Sequence, residues 1–480
     1  MNGGRPVVAV IGGGITGLSA AWELVRQGRS RVVVLEASGR LGGNIRTADF
    51  AGRRVDLGPD AFVTRRPEAV TLSRELGLDA ALVSPATSRA YLWIGGRLCA
   101  LPQGLSLGVP TRLRPLARSR VLSPAGLARA ALDVLSPTAG GGRAGDADDV
   151  PVGEVVGRRL GHEVVDRLAD PLIGGIHAGG VEHMSAAAVF PMLLQASKQP
   201  GSLMRNLRRT APPATADGAP VFGGFEGGMS RLVEALTQSL RRDGAEIHTV
   251  HPVLQLEHGH PAHQLEHASQ WKLHGPSGPP VHADALVVAT RAPSAAELLR
   301  PHSRRLADLL DSIPHAGVVL ATMRFARQDV GRLPPGSGFL VPRRSGGVVT
   351  ACTWMSAKWA HLARPDDVLV RASLGRFGDE RALAMDDDEV VRRATAELTA
   401  AMALRRGPGD ATVARFGPAF PQYAVGHLST VAAIEHEAQC LGGLALAGSY
   451  LGGVGIPACI DSGRRAALRA GVALGEAARR

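Results

Sequence analysis

The chain has 480 residues, more than one hydrophobic core serves, so two or three domains are expected. Its 45% hydrophobic and 20% charged residues exclude wholesale disorder, and a formal charge of +11 leaves nucleic acid, an anionic membrane surface or an acidic small molecule as partner. Cys99, Cys352, Cys440 and Cys459 lie far apart without a C-x-x-C pair, so neither a disulfide framework nor a metal site is expected.

Met1 to Pro6 leads straight into a strand-like run, Val7 to Ile11, without the apolar region of a cleavable signal, and a reducing cytoplasm is the expected location. Gly12, Gly14 and Gly17 follow as G-x-G-x-x-G and open a helix in which Leu18, Ala21, Trp22 and Val25 recur at helical spacing, up to a capping Gly28. The first glycine allows the tight turn, the second lets backbone approach a pyrophosphate, and the third lets helix and strand pack closely. The helix start offers free N–H groups and a positive dipole end to phosphates, which makes Gly12, Gly13, Gly14, Ile15, Thr16 and Gly17 candidate cofactor residues. The same spacing recurs at Gly140, Gly142 and Gly145, inside a small polar linker with neither strand nor helix around it, and there it predicts nothing.

Val32 to Leu35 reads as the next parallel strand and Glu36 ends it, where an acid accepts hydrogen bonds from a ribose hydroxyl pair. An acid here disfavours a 2′-phosphate and leaves NAD and FAD open. The run Glu36-Ala37-Ser38-Gly39-Arg40-Leu41-Gly42-Gly43 resembles the extension seen in FAD-dependent, amine oxidase-like flavoproteins. Arg40 can reach an anionic part of the dinucleotide there, with Ala37 and Gly43 against it. Asp56-Leu57-Gly58-Pro59-Asp60 continues the resemblance, and backbone from Gly58, Pro59, Asp60 and Ala61 is expected to face the flavin ring.

Residues 99 to 210 read as helices punctuated by Pro and Gly, with Ser123-Pro124 starting one over Ala125 to Leu135. Between Cys99 and Leu132 the chain carries Arg112, Arg114, Arg118, Arg120 and Arg129 without one acid, a pattern that fits substrate carboxylates, an anionic membrane or a solvated face. Strand-like segments return from Val221 to Thr290 and end in Ala285 to Ala289. The histidine-rich stretch His248 to His282 lacks acids or cysteines at ligand spacing, so a solvated hairpin loop is expected. Residues 300 to 430 alternate strands with one long helix near Asp388 to Met402. Ala438 to Ile460 is the longest uncharged run, but its six glycines and Pro457 make it no membrane span. It reads as a cofactor loop leading into a helix near Ala458, with Val454, Gly455 and Ile456 aimed at the flavin so that the helix start stabilises charge on the reduced ring.

With these pieces placed, the chain resembles the oxygen-dependent protoporphyrinogen and coproporphyrinogen oxidase family along nearly its whole length. The resemblance rests on Leu101-Pro102-Gln103-Gly104, Gly108-Val109-Pro110-Thr111, Pro171 to Gly179, Gly338 to Pro342, Thr350 to Trp354 and Pro421 to His427. Gly108 to Thr111 and Thr350 to Lys358 are most similar to the Gram-positive bacterial, coproporphyrin-forming type. The resemblance implies an α/β fold of amine oxidase-like architecture. A Rossmann-like FAD-binding domain would be built from residues 1–80, 220–293 and 435–480, an α+β substrate domain from 81–98, 204–219 and 294–434, and a helical domain from 99–203, membrane-facing in some relatives. It implies non-covalent FAD, a porphyrinogen oxidised in haem biosynthesis, dioxygen as acceptor, hydrogen peroxide as by-product, and handover of product to a ferrochelatase; no nucleic acid is expected. By position in the motifs, Gly175 is the catalytic-site residue beside the tetrapyrrole, Ile176 and Arg66 contact substrate, and Val253 and Phe416 contact FAD. His177 stands where Tyr or Phe is more usual and Gly180 where an acid is common. Alternatives are protoporphyrinogen IX as substrate, an amine oxidase or desaturase, and a catalytically silent flavin-binding partner protein.

Overall fold

The computed structural model describes residues 5–135, 149–210, 220–259 and 270–477; the linker glycines Gly140, Gly142 and Gly145 and the histidines His260, His263 and His267 lie outside the described residues. A five-stranded parallel sheet runs in the spatial order Glu246–His248, Arg31–Leu35, Val7–Ile11, Ala285–Val288, Leu444–Leu446. Its strands come from three regions far apart in sequence. They are short and apolar on both faces because both are covered, one by helices and the other by helices together with strand residues such as Leu256, Trp271 and Leu273.

The helix Ile15–Gln27 follows the first strand and ends at Gly28, whose φ of 66° is the left-handed cap that glycine adopts freely. The chain's last helix, Ile456–Ala477, crosses it at Gly463, where a Cβ would stand 2.1 Å from the Thr16 carbonyl oxygen. Only glycine permits that approach, and it brings the starts of the first and last helices to the same edge of the sheet.

A second sheet of seven strands has the order Asp410–Pro421, His315–Ala326, Asp367–Leu374, Val349–Trp354, Gly338–Leu340, Tyr91–Ile94, Arg97–Ala100. Its pairs are antiparallel except for Gly338–Leu340 beside Tyr91–Ile94. The helix Asp387–Met402 packs on it, opened by Asp386, whose carboxylate accepts from the Glu389 N–H. A third layer is helical, from Leu113 to Leu135 and Val152 to Thr210, with its own core around Leu116, Val156, Leu168 and Leu193.

Several sequence expectations land within a residue or so: Pro124–Leu135, Asp387–Met402 and Ala285–Val288 are all formed. Reading Val221 to Thr290 as strands alone is corrected by the helix Ser230–Arg242, which buries Leu232, Val233, Leu236 and Leu240 against the parallel sheet. Those residues recur at helical spacing. The histidine-rich region forms the antiparallel strands Gln255–His258, Trp271–His274 and Val281–Ala283, with the His258 ring 4.3 Å from that of Trp271.

Candidate functional site

Parallel α/β sheets bind ligands outside the carboxyl ends of their strands, and here the cleft lies at that edge. A cavity of about 800 Å³ is lined by the loops that follow Ile11, Leu35, Val288 and Leu446, continues over the seven-stranded sheet and ends against the helical layer at Gly174–Gly179. That volume is near the upper end for small-molecule and cofactor pockets.

At the nucleotide end, Gly12 has a φ of 107°, and a Cβ there would stand 2.8 Å from the Ala289 carbonyl oxygen. Gly17 lies beneath the turn, where a Cβ would come within 1.9 Å of the Gly12 oxygen. Gly12, Gly14, Ile15 and Thr16 line the cleft, while Gly13 and Gly17 shape the turn from behind. No side chain caps the helix at Gly14, so its first N–H groups keep their capacity for an anion. Glu36 is fixed by the Gly13 N–H on Oε2 at 2.7 Å and by the Ser38 N–H and hydroxyl on Oε1 at 2.8 and 2.6 Å. It lines the cleft with Ala37, Gly43 and, across from them, Val253.

Two residues expected against the cofactor have other work. The Arg40 guanidinium donates to the Gly43 carbonyl at 2.6 Å and the Ile45 carbonyl at 3.1 Å, so it braces the Gly-rich loop instead of lining the cleft. Asp60 is buried away from the cavity wall, between Arg371 at 2.8 Å and Lys358 at 2.8 Å, and accepts from the Trp359 indole at 2.9 Å. Those two cations hold its carboxyl far below the usual range despite complete burial. Arg371 also donates to the carbonyls of Gly58 at 2.6 Å and Asp56 at 3.3 Å. The strip Gly58, Pro59, Ala61 on the cleft wall is thus held from behind by a buried ion-pair network. Asp56, one turn away, has its carboxyl pushed up to about 6 by burial, against the opposing bonds from Thr47 and Met229.

On the opposite wall, Val454, Gly455 and Ile456 open the last helix into the cavity, with Phe416 nearby. Cys459 also lines it, and burial raises its thiol, so a thiolate ready for covalent attachment is disfavoured.

The helical layer closes the far end. Val165–Gly174 is wound as a π-helix with Pro171 inside it, a winding frequent at functional sites. The glycines that follow differ in their reason for being glycine. A Cβ on Gly174 would stand 2.6 Å from the Gly179 oxygen, and one on Gly179 would stand 2.1 Å from Gln422 Oε1. A Cβ on Gly175 meets only Leu340, at an ordinary 3.8 Å, and points into the cavity wall that Gly175 lines. No neighbour in the protein demands glycine there.

Arg66 and Ile176 are not brought to the cavity wall. Arg66 is paired with Glu68 at 3.1 Å and Asp461 at 3.8 Å, beside the loop at Gly453, and Ile176 is 48% exposed. Sequence reasoning missed Asp170, Arg371 and Arg376, all on the wall. For Arg371 a signal existed: it is the one charged residue within the strand run Val368 to Leu374.

The profile of flavin-containing amine oxidoreductases matches residues 15–470. The chain belongs to the flavin-containing amine oxidoreductase family. Coproporphyrinogen III oxidase of Bacillus subtilis (strain 168) is 31% identical over 477 residues, covering 97% of this chain and 98% of that one. Coproporphyrinogen III oxidase of Mycobacterium tuberculosis (strain H37Rv) is 34% identical, with 95% of each chain covered. A solved structure from Exiguobacterium sp. 255-15 superposes with a TM-score of 0.86 at 29% identity, over 98% of this chain and 99% of that one. As a member of that family the protein is a flavin-dependent oxidoreductase, and the uncapped helix start, the Glu36 carboxylate and the glycine-lined cleft fit FAD, the dinucleotide form of flavin.

Proposed function

We propose that this flavoprotein oxidises coproporphyrinogen III to coproporphyrin III in haem biosynthesis, with dioxygen as electron acceptor. Three two-electron oxidations remove six hydrogens from the macrocycle, and three dioxygen molecules leave as three hydrogen peroxide. FAD, when bound, supplies the two-electron redox chemistry that no side chain here provides.

The chain's own residues do the rest. Gly14, Ile15 and Thr16 would present backbone N–H groups to the pyrophosphate while Gly12, whose own N–H donates to the Leu35 carbonyl at 2.8 Å, makes the turn that lets it approach; Glu36 would accept from the adenosine ribose, and Val253 would pack beside the adenine. Gly58, Pro59, Ala61 and Phe416 would wall the flavin ring, and the helix start at Ile456 would turn its positive end toward it, a placement that favours negative charge. Segments 1–80, 220–293 and 435–480 form the cofactor domain in this reading, and 81–98, 204–219 and 294–434 the substrate domain. Residues 99–203 bring the Gly174–Gly179 wall.

The observation that carries the reading is Gly175, a glycine that no protein neighbour requires, facing a cavity continuous with the dinucleotide edge. The experiment is aerobic incubation of the purified yellow protein with coproporphyrinogen III. Porphyrin fluorescence should rise with one peroxide per two electrons removed; turnover of amines with no porphyrin formed would replace this reading with an amine oxidase.

Peripheral membrane association belongs to the same reading. No helix among the described residues is long and apolar enough to cross a membrane. Arg112, Arg114, Arg118 and Arg120 are exposed, while Arg129 is engaged with the carbonyls of Arg158 and Arg159. Cosedimentation with anionic but not neutral vesicles, weakening as salt rises, tests it.

A further inference from the structure

The far end of the cleft holds a buried cation that its own surroundings leave under-compensated. Arg376 lines the cavity and is only 9% exposed. Among the described residues no carboxylate forms an ion pair with it: Asp379, across the same turn, is taken by Arg381 at 2.7 Å, and Asp170 leans toward Arg343 at 3.8 Å. Burial, and after it the like charge of Arg343, work against the charge on Arg376, and the attraction of Asp170 and Asp379 offsets them only in part. A guanidinium does not shed its proton to escape such a setting. What relieves it is an anion.

The position is built firmly. Gly375 and Gly378, with φ of 84° and 78°, bracket the turn, the Asp379 N–H donates to the Arg376 carbonyl at 2.8 Å, and the Phe377 N–H donates to the Ala178 carbonyl at 2.6 Å. Arg343 donates to the Phe377 carbonyl at 3.3 Å. The turn is thereby fastened to the segment that carries Gly175. Nearby, a Cβ on Gly180 would stand 3.3 Å from Arg343 Nη2, so position 180 supplies no second acid to a guanidinium whose one carboxylate contact is Asp170 at 3.8 Å. The adjoining wall is apolar, with Leu320, Val341 and Phe420, as a macrocycle's faces require.

We propose that Arg376, backed by Arg343, is the receptor for a propionate carboxylate of the tetrapyrrole. The inference rests on the porphyrinogen reading, and it adds where the anionic edge of the substrate binds. A guanidinium fork pairs a carboxylate through two parallel hydrogen bonds, which orients the macrocycle as well as retaining it.

The test uses the FAD-loaded enzyme and four proteins: wild type, Arg376→Gln, Arg376→Lys and Gly180→Glu. Coproporphyrin III and its uncharged tetramethyl ester are titrated by fluorescence quenching, and steady-state kinetics are run with coproporphyrinogen III. Arg376→Gln is expected to weaken binding of the free acid at least tenfold while changing the ester less than threefold, and to raise KM with kcat little altered. Arg376→Lys should recover part of the loss, and Gly180→Glu should weaken the acid selectively by supplying an internal carboxylate to Arg343. Equal losses for acid and ester, or unchanged acid binding in folded Arg376→Gln, overturn the proposal. If wild type binds the acid through Arg376 yet does not oxidise coproporphyrinogen, the function reading fails and the site stands; if it turns over and the variants do not differ, the reverse holds.

Discussion

Tyr423 lies flat against His427, with ring centroids 4.1 Å apart and 13° between the planes, and its hydroxyl reaches the loop that precedes the last helix. The Gly453 N–H donates to that hydroxyl at 2.6 Å, and the hydroxyl donates to the Ser449 carbonyl. The turn that aims Val454, Gly455 and Ile456 into the cleft is therefore splinted by one phenol. Tyr423→Phe keeps the stack and leaves both backbone groups without it, a loss of about 1–3 kcal/mol. A lower melting temperature and weaker FAD binding, measured by flavin fluorescence on reconstitution, are expected; unchanged values for both would remove Tyr423 from this role.

His177 sits on the other side of Tyr423, ring centroids 5.5 Å apart, and burial depresses both imidazoles to about 4. In the unfolded chain these histidines take up protons near 6.5, and in the fold they stay neutral down to about 4. The stability they support is full above about 6.5 and drains away as the pH falls toward 4, by up to roughly 3 kcal/mol for each. Melting temperatures recorded from pH 7.5 to 4.5 should fall, and His177→Phe should flatten that acid limb. An identical slope in the variant would exclude His177 as a source.

Asp60 ties the Gly58–Ala61 strip to Arg371 of the seven-stranded sheet and to Lys358. Asp60→Asn leaves two buried cations short of their counter-charge, at a cost of about 3–5 kcal/mol. Urea unfolding of the FAD-loaded protein reads this directly, and the flavin spectrum should shift as Gly58 and Pro59 lose their backing. A variant as stable as wild type would show that the network merely breaks even.

The dinucleotide half was legible because its signals are local: a strand, three glycines at fixed spacing, a helix cap and an acid within one β-α-β unit. Gly12, Gly14 and Glu36 could be placed from 30 residues of chain. The substrate end was less so, since its wall is assembled by contacts between distant segments, such as Phe377 against Ala178. Arg40 and Asp60 stand off the cavity wall, because a charged side chain next to a cofactor motif serves equally to brace the loop, and spacing does not distinguish the two. Arg376 gave no local signal, for its meaning comes from the carboxylates that do not reach it.

Gly175 separates a steric role from a structural one. It is helical, with φ of −62°, and a Cβ there meets only Leu340 at 3.8 Å, so alanine fits the fold without strain. Removing a glycine's extra freedom in the unfolded chain should stabilise the protein by about 0.4–1 kcal/mol. The same methyl intrudes on the cavity that the macrocycle is to fill. Gly175→Ala is thus expected to melt at or above the wild-type temperature and to keep its full complement of FAD, while kcat/KM for coproporphyrinogen falls about tenfold or more, and Gly175→Leu falls further. A Gly175→Ala enzyme that melts early and loses flavin would mean that the glycine serves the π-helix, whereas one that is stable and fully active would move the substrate to another part of the cleft.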